Sequence, residues 1–247
     1  MLGRQHLMLS VATATVLLIP FIQSYQGFVL VAFVGTAIGS LIPDVDAADA
    51  SVFHRHIRGL DSEPGKAVGS FIGPVLPVFG YTTKYMIYRP LVWLFNLFSV
   101  NYSFHDSHRS FSHSIIGVFA MTSVTGLYIS PVLMYLGFFS VPHLAVFLSA
   151  YAFGALLHML EDSCTKSGIA WNEPFSSRKL KGDLTTGEDI RKPRILLYML
   201  GGLTVPVFYL SFVSSRGLEL FEVSLLSFAL VSLAWIIFMA FVDVRIE

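Results

Sequence analysis

Long apolar segments, separated by short polar stretches, are the feature that most constrains what this sequence can fold into. An apolar run of about 17–25 residues can cross the hydrocarbon core of a bilayer as a helix. Only 13% of the residues are charged, about half the share in soluble domains, so a soluble fold would lack the polar surface to cover its core. The sequence predicts an all-α, polytopic transmembrane helix bundle of about six to seven spans, in a single integral membrane domain over residues 1–247. The predicted spans are Leu7–Ile22, Phe28–Ile42, Met86–Val100, Ile115–Leu136, Leu144–Leu160, Ile195–Val213 and Val223–Val242.

The first apolar segment follows a basic residue, Arg4, and therefore has the outline of a secretory signal peptide. Signal peptides are cleaved after small residues in an A-x-A-like pattern. The residues that follow here, Ile22-Gln23-Ser24-Tyr25, match that pattern poorly. We therefore expect Leu7–Ile22 to be retained as a membrane span.

The region Val68–Val100 is apolar but contains several residues that interrupt helices. Irregular backbone at membrane depth is tolerated only where protein or water covers it. Val68–Tyr81 is therefore predicted to be a broken or re-entrant segment, and Met86–Val100 a span that Arg89-Pro90 ends or kinks. The interrupting residues of the first part are Gly69, Gly73, Pro74, Pro77 and Gly80.

The basic residues are distributed unequally between the two membrane faces that these spans imply. If Val68–Val100 enters and leaves on one face, all but Lys84, Arg89 and Arg216 of the 16 Lys and Arg residues lie on the same side. Basic loops favour the cytoplasm, so this side of a multi-pass plasma membrane protein is predicted to face the cytoplasm. Membrane lipid is the expected partner, and the net charge of zero gives no reason to expect nucleic acid.

Short clusters of His and Asp occur near the ends of the predicted spans, on the side predicted to be cytoplasmic. His158 and Asp162 stand four residues apart, so on a helix they share one face and could bind one metal ion. Imidazole and carboxylate together suit a divalent metal, with Zn favoured and Mn or Fe as alternatives. Water bound to such a metal is a nucleophile near neutral pH, which points to hydrolysis. The remaining members of the clusters are His6, Asp44, Asp46, His54, His56, His105, Asp106, His108 and His113.

Other interpretations of these clusters stay open. A His in a loop, such as His54 or His105, is more often an ordinary polar residue than a ligand, and His158 with Asp162 could be a simple hydrogen-bonded pair. A non-enzymatic metal or proton transporter would place ionisable residues in mid-span. Here they lie at span ends and in loops, which favours an enzyme at the membrane face. A scaffold with a structural metal site is the third alternative.

Four short motifs follow one another in an order that resembles the YdjM-like family of bacterial inner-membrane proteins. The family patterns are an N-terminal H, LLPDxD, HRxxTHS and GxxxHxxxDxxT, and its members are described as predicted metal-dependent hydrolases. The resemblance covers residues 1–180 and implies a hydrolase core there, followed by two spans in residues 195–247. The matching residues are His6, Leu41-Ile42-Pro43-Asp44-Val45-Asp46, His108-Arg109-Ser110-Phe111-Ser112-His113-Ser114 and Gly154-Ala155-Leu156-Leu157-His158-Met159-Leu160-Glu161-Asp162, continued by Thr165, Gly168, Pro174 and Phe175.

The resemblance implies a set of metal ligands, position by position. This sequence departs from the family pattern at Ala47, where a His is frequent, and at Ser110 and Ser112, which replace a Gly and a Thr. The loop after Ala47 also carries an additional His54-Arg55-His56. None of these departures removes an implied ligand. The implied ligands are His6, Asp44, Asp46, His108, His113, His158 and Asp162.

The ligand types are also similar, more distantly, to those of zinc-dependent phospholipase C and the S1/P1 nucleases. This wider resemblance implies an ester or phosphoester substrate, and at a membrane face a lipid. Two residues are expected to act in catalysis: Asp44 would bridge two metal ions, and Arg109 would stabilise charge on a phosphate or a tetrahedral oxyanion. Ser112 and Asp106 would orient the imidazole rings. The basic residues expected to contact anionic headgroups are Arg178, Lys179 and Lys181.

Overall fold

The computed structural model describes residues 1–57, 59–60, 63–98, 109, 111–213 and 219–247. Helices dominate these ranges, joined by turns, and one pair of two-residue strands, β1 (Leu180–Lys181) and β2 (Arg245–Ile246), is antiparallel. The all-α architecture predicted from the sequence is therefore confirmed. The helices are α1 (Gly3–Leu18), α2 (Gln26–Gly39), α3 (Glu63–Ile72), α4 (Leu76–Thr82), α5 (Arg89–Phe98), α6 (Ile115–Tyr135), α7 (Val141–Ser163), α8 (Arg191–Phe212) and α9 (Leu220–Phe241).

Four of these helices, α6 to α9, are long and apolar enough to cross a membrane. Each has 21 to 23 residues, which matches the length that the hydrocarbon core requires. The helix α2 is also apolar but has only 14 residues, and α1 has 16. The described residues thus contain four candidate membrane spans and a shorter apolar helix.

The Gly- and Pro-rich region is broken, as the sequence predicts. A turn at Gly73 separates α3 from α4, and a Cβ at this position would lie 2.3 Å from the carbonyl oxygen of Arg55. Only glycine lets the turn approach that backbone so closely. After α4 the chain forms a wide π-helical turn, Thr83–Tyr88, and α5 begins at Arg89-Pro90, where a helix end or kink is expected.

The helices α2 and α7 pack with their backbones in direct contact. A Cβ at Gly39 would lie 2.0 Å from the carbonyl oxygen of Tyr151, and a Cβ at Gly154 would lie 2.2 Å from that of Thr36. Small residues at helix interfaces in membranes allow this close approach. The contact brings the last residues of α2 beside the last two turns of α7, where several of the predicted ligands lie.

The helix α1 lies between two apolar clusters. Leu7 and Val11 belong to the cluster that includes residues of α2 and of the segment after it, whereas Leu9 and Val16 belong to the cluster formed with α8 and α9. A hydrogen bond from Trp235 Nε1 to Thr13 Oγ1 (3.2 Å) joins α9 to α1. Opposite faces of α1 therefore contact different halves of the bundle.

The long polar segment after α7 is folded back onto the bundle. Backbone hydrogen bonds join Lys166 to Leu184 and Ile169 to Leu180, and the β1–β2 pair ties the segment to the end of the chain. Lys181 forms an ion pair with Glu247 at 2.7 Å. Contact of the basic residues of this segment with lipid headgroups stays a prediction.

Candidate metal centre

Six of the predicted ligands converge where α1 and α6 begin and where α2 and α7 end. Their side chains are at most 3% exposed, apart from that of Asp44, which is 16% exposed. Burying so many ionisable groups is costly unless they are paired or bind a metal. Three residues of the predicted clusters, His105, Asp106 and His108, lie outside the described residues. The six are His6, Asp44, Asp46, His113, His158 and Asp162.

The turn at the start of α6 positions His113. The hydroxyl of Ser114 caps this helix: it accepts a hydrogen bond from the backbone N–H of Gly117 (3.0 Å) and donates one to the carbonyl oxygen of Phe111 (2.9 Å). A Cβ at Gly117 would lie 1.7 Å from the same carbonyl oxygen. The turn Phe111–His113 is therefore held tightly against the first turn of α6, which fixes the direction of the His113 ring.

The carboxylates of Asp44 and Asp162 approach the imidazole rings at one ring atom, Nε2. Asp44 Oδ1 lies 3.5 Å from His158 Nε2 and 3.7 Å from His113 Nε2. Asp162 Oδ1 lies 3.5 Å from His6 Nε2. Asp162 Oδ2 lies 3.8 and 3.9 Å from Nε2 of His113 and His158, respectively. The Nε2 atoms and the carboxylate oxygens thus surround a common region.

The other ring nitrogen, Nδ1, of each imidazole faces away from this region and contacts a separate polar group. Nδ1 of His158 donates to the carbonyl oxygen of Ser40 at 2.7 Å, and Nδ1 of His6 lies 2.6 Å from Glu161 Oε2. A carbonyl oxygen can only accept, so Nδ1 of His158 carries a hydrogen, and Nε2 is the ring nitrogen left to bind a metal ion. Such outer hydrogen bonds are typical of metal-binding histidines.

These atoms fit a divalent metal ion. Two groups of three residues each bring one ligand atom per residue within 4.8 Å of one another: His6 with Asp44 and His158, and His113 with His158 and Asp162. Two ligand atoms at about 2.1 Å from a tetrahedral zinc ion lie about 3.4 Å apart, close to the shortest distances found here. Nε2 of His6 and of His158 is buried and has no hydrogen-bond partner among the described residues. The buried His and Asp groups could therefore hold a metal ion.

Asp46 lies beside this centre in a different position. It belongs to neither of the two groups found among the described residues. Its Oδ2 lies 3.6 Å from Nδ1 of His113, and it accepts hydrogen bonds from the hydroxyl of Ser112 (3.0 Å) and from the backbone N–H of Arg109 (2.9 Å). Asp46 and Ser112 are thus both placed on the outer side of the His113 ring.

Arg109 is held at the centre in an unusual backbone conformation, with a φ of +72°, which is uncommon for residues other than glycine. One nitrogen of its guanidinium group, Nη2, lies 2.9 Å from Asp162 Oδ2. Nη1 donates to the hydroxyl groups of Thr165 (3.2 Å) and Ser167. The Nε–H group is buried and has no hydrogen-bond partner among the described residues, so one donor is available to a bound anion.

Asp44 lies in the turn after α2, and His113 lies in the turn before α6. The charges of these two side chains stabilise each other. Burial would raise the pKa of Asp44, but the charge of His158 and hydrogen bonding to His113 hold it well below the usual range. Burial would lower the pKa of His113, but hydrogen bonding to Asp44 and Asp46 raises it to about 9. A metal ion at Nε2 of His113 would therefore take the place of a proton.

The sequence did not predict two groups that contact the Nδ1 atoms of the centre, the carboxyl group of Glu161 and the carbonyl oxygen of Ser40. Glu161 is fully buried and contacts both His6 and Ser10, whose hydroxyl donates to Glu161 Oε1 at 3.0 Å. A carboxyl group among the apolar residues of a span end could have indicated this role, because ionisable residues there are functional by default. The carbonyl oxygen of Ser40 has no sequence signal, since every residue carries a carbonyl group.

Comparison with known proteins supports the family resemblance and extends it. The model of the YdjM inner membrane protein family matches residues 1–241. This match runs past the motif-bearing residues 1–180 and through both α8 and α9. No curated protein and no solved structure matches the chain. Together with its four candidate spans, the match shows that the chain belongs to the YdjM inner membrane protein family.

Proposed function

We propose that this protein is a metal-dependent hydrolase whose centre lies at one face of the inner membrane. The observation that carries the proposal is the convergence of three His and two Asp side chains in two groups, within each of which the ligand atoms lie within 4.8 Å of one another. The outer hydrogen bonds of His6 and His158 support it, because they hold the rings in an orientation suited to ligation.

His158 is the central ligand in this proposal, since it belongs to both groups of converging residues. Asp44 is the candidate for a carboxylate shared by two ions, because its Oδ1 faces His158 and His113 at 3.5 and 3.7 Å. Asp46 and His108 remain proposed ligands from the family pattern. In the described geometry Asp46 is better placed to orient His113 and Arg109.

The centre suits hydrolysis of an ester or a phosphoester. A divalent metal bound there would supply an acidic water and a Lewis acid. Ligands that combine imidazole with carboxylate suit Zn, Mn or Fe, and of these we propose Zn. Arg109 would bind an anionic oxygen of the substrate through its Nε–H, which has no hydrogen-bond partner in the part of the chain that the structure describes. Thr165, Ser167 and Asp162 hold the guanidinium group in place for this purpose.

The position of the centre favours a lipid substrate. Helices α1 and α6 begin there and α2 and α7 end there, so the centre lies at one end of the helices rather than in mid-span. We infer that α1, α2 and the broken α3–α5 region complete a single membrane domain of about six to seven spans together with α6 to α9. By the positive-inside tendency the centre faces the cytoplasm.

Metal content provides the first test. The full chain, purified in detergent, is expected to contain a stoichiometric divalent metal by elemental analysis. His158→Ala and Asp44→Ala should each lose it, while His143→Ala and the exposed neighbour Asp49→Ala should retain it. Wild-type protein without metal, or ligand variants with full metal at unchanged thermal stability, would refute the proposal.

Product release distinguishes an enzyme from the other two classes. Protein in vesicles of defined phospholipids is expected to release phosphate or fatty acid, and Arg109→Lys should lose this activity while keeping its metal. A transporter would instead move metal across the vesicle membrane without releasing product. A structural site would bind metal and show neither activity.

A further inference from the structure

A cavity separate from the metal centre lies between the first turns of α1 and α8. Its volume is about 620 Å³, within the range of about 300–1,000 Å³ typical of small-molecule sites. Both helices begin at this end of the bundle, so their first turns stand side by side. Its walls combine cationic and apolar side chains, which restricts the chemistry of a ligand.

The outer part of the cavity is cationic. Arg4 in α1 and Arg194 in α8 line it, and none of its described lining residues is acidic. Neither guanidinium group forms an ion pair or a hydrogen bond with the described residues. Arg4 lies against the backbone of Gly59, where a Cβ would come within 1.8 Å of its Nη1. Helix N-termini also carry partial positive charge, so this part is complementary to an anion.

The inner part of the cavity is apolar and lies one helical turn further along both helices. Met8 follows Arg4 by four residues, and Leu197 and Tyr198 follow Arg194 by three and four, so each set lies on one helix face. Leu197 is half-buried and Tyr198 is exposed. A cationic end followed by an apolar groove along α1 and α8, partly open at Tyr198, is complementary to an amphiphile.

We propose that this cavity binds an anionic phospholipid of the leaflet on the side of the metal centre. The phosphate lies between Arg4 and Arg194, and an acyl chain lies in the groove along Met8 and Leu197. This proposal does not depend on the proposed hydrolase activity. It concerns a bound lipid on the α1–α8 side, whereas the predicted ligands lie toward α2 and α7.

The test compares two lipids with identical acyl chains. The full chain, delipidated in detergent, is titrated with dioleoylphosphatidylglycerol or dioleoylphosphatidylcholine, and bound lipid is counted by native mass spectrometry. The wild type is expected to bind phosphatidylglycerol at least about five-fold more tightly. Arg4→Gln and Arg194→Gln should each remove about five-fold of affinity, and Arg4→Lys should retain most of it.

A matched control and a groove variant distinguish lipid binding in this cavity from non-specific electrostatic attraction to basic residues. Arg191→Gln removes the same charge from the first turn of α8, outside the cavity lining, and should leave affinity unchanged. Leu197→Trp fills the groove without changing charge and should weaken binding of both lipids. Inorganic phosphate should not displace the lipid at equal concentration. Equal binding of the two lipids, an equal loss in Arg191→Gln, or displacement by phosphate overturns the proposal.

Discussion

The helix pairs α2–α7 and α8–α9 are built differently, although all four helices are apolar. The first pair brings backbones into contact at glycines and buries His158, Glu161 and Asp162 near its end. Within the described residues of α8 and α9, the buried side chains contain no ionisable group. The pair α8–α9 packs against α1 through apolar side chains such as Leu200 and Phe238.

Glycine has different roles in the helix pairs α2–α7 and α8–α9. Gly154 in α7 lies against the backbone of α2, whereas Gly201 and Gly202 in α8 have nothing within 4 Å of an added Cβ. A centre that depends on distances of a few tenths of an ångström needs a rigid, close contact to support it. An apolar packing surface tolerates larger shifts. We therefore expect the addition of a single carbon atom to disturb the α2–α7 contact, and we expect α8–α9 to tolerate such a change.

The largest effect is expected from Gly154→Ala. The added Cβ would lie 2.2 Å from the carbonyl oxygen of Thr36, so the two helices must separate, at a cost of about 3 kcal/mol. The variant should show a lower unfolding temperature in detergent and lose bound metal. Gly202→Ala is the matched control and should keep both, because its Cβ meets open space. Equal unfolding temperatures and equal metal contents in the two variants would contradict the proposed difference between the helix pairs.

A smaller effect is expected from Arg109→Lys, which keeps the charge but loses the guanidinium donors. The hydrolysis rate on a vesicle substrate should fall by about 100-fold, the usual cost of one oxyanion donor. Metal content should stay the same. Arg191→Lys in α8 removes the same group outside the centre and should keep the wild-type rate. An unchanged rate in Arg109→Lys would exclude it from the reaction.

Glu161→Gln tests whether the outer carboxylate contributes to metal affinity. The amide can still contact His6 Nδ1 and Ser10 but cannot become a carboxylate when a metal ion binds the opposite ring nitrogen, so metal affinity should fall about 10- to 100-fold. A competition titration with a zinc indicator measures this. Glu222→Gln, at the start of α9, is the control. A stability loss without an affinity change would assign Glu161 a purely structural role.

The smallest effect is expected in the second helix pair. Trp235→Phe removes the hydrogen bond to Thr13 Oγ1 and should cost about 0.6 kcal/mol, the average for such bonds between membrane helices. Thermal unfolding in detergent should detect a slight shift, with metal content unchanged. Loss of metal in this variant would show that α8–α9 supports the centre as strictly as α2–α7 does.

Most of the helices, and most of the residues that converge at the candidate centre, could be predicted from the sequence. Hydropathy located α6 to α9 because an apolar run longer than a bilayer core has few other stable folds in water or lipid. The spacing of His158 and Asp162 placed both on one helix face. The break near Gly73 was predicted because Gly and Pro interrupt helices. The ends of α1 and α2 were less well predicted, since packing decides where short helices stop.

The outer partners of the ligands could not be predicted. Glu161 is adjacent to Asp162, yet its contact with His6 depends on where α1 lies beside α7. The partner of His158 is a backbone carbonyl, that of Ser40, which any residue would provide. The contact of Arg109 with Asp162 likewise joins residues far apart in the chain. Such pairs follow from helix packing and not from local spacing.

The sequence by itself determined that this protein is a membrane helix bundle with His and Asp gathered at the helix ends. Apolar runs and i,i+4 spacing are local properties, so they can be deduced residue by residue. Only the tertiary structure decided that Asp44, His6 and His158 share one region and that Arg4 and Arg194 line another. These placements depend on how closely α1, α2, α7 and α8 approach one another, and that distance is set by side-chain volume across each interface.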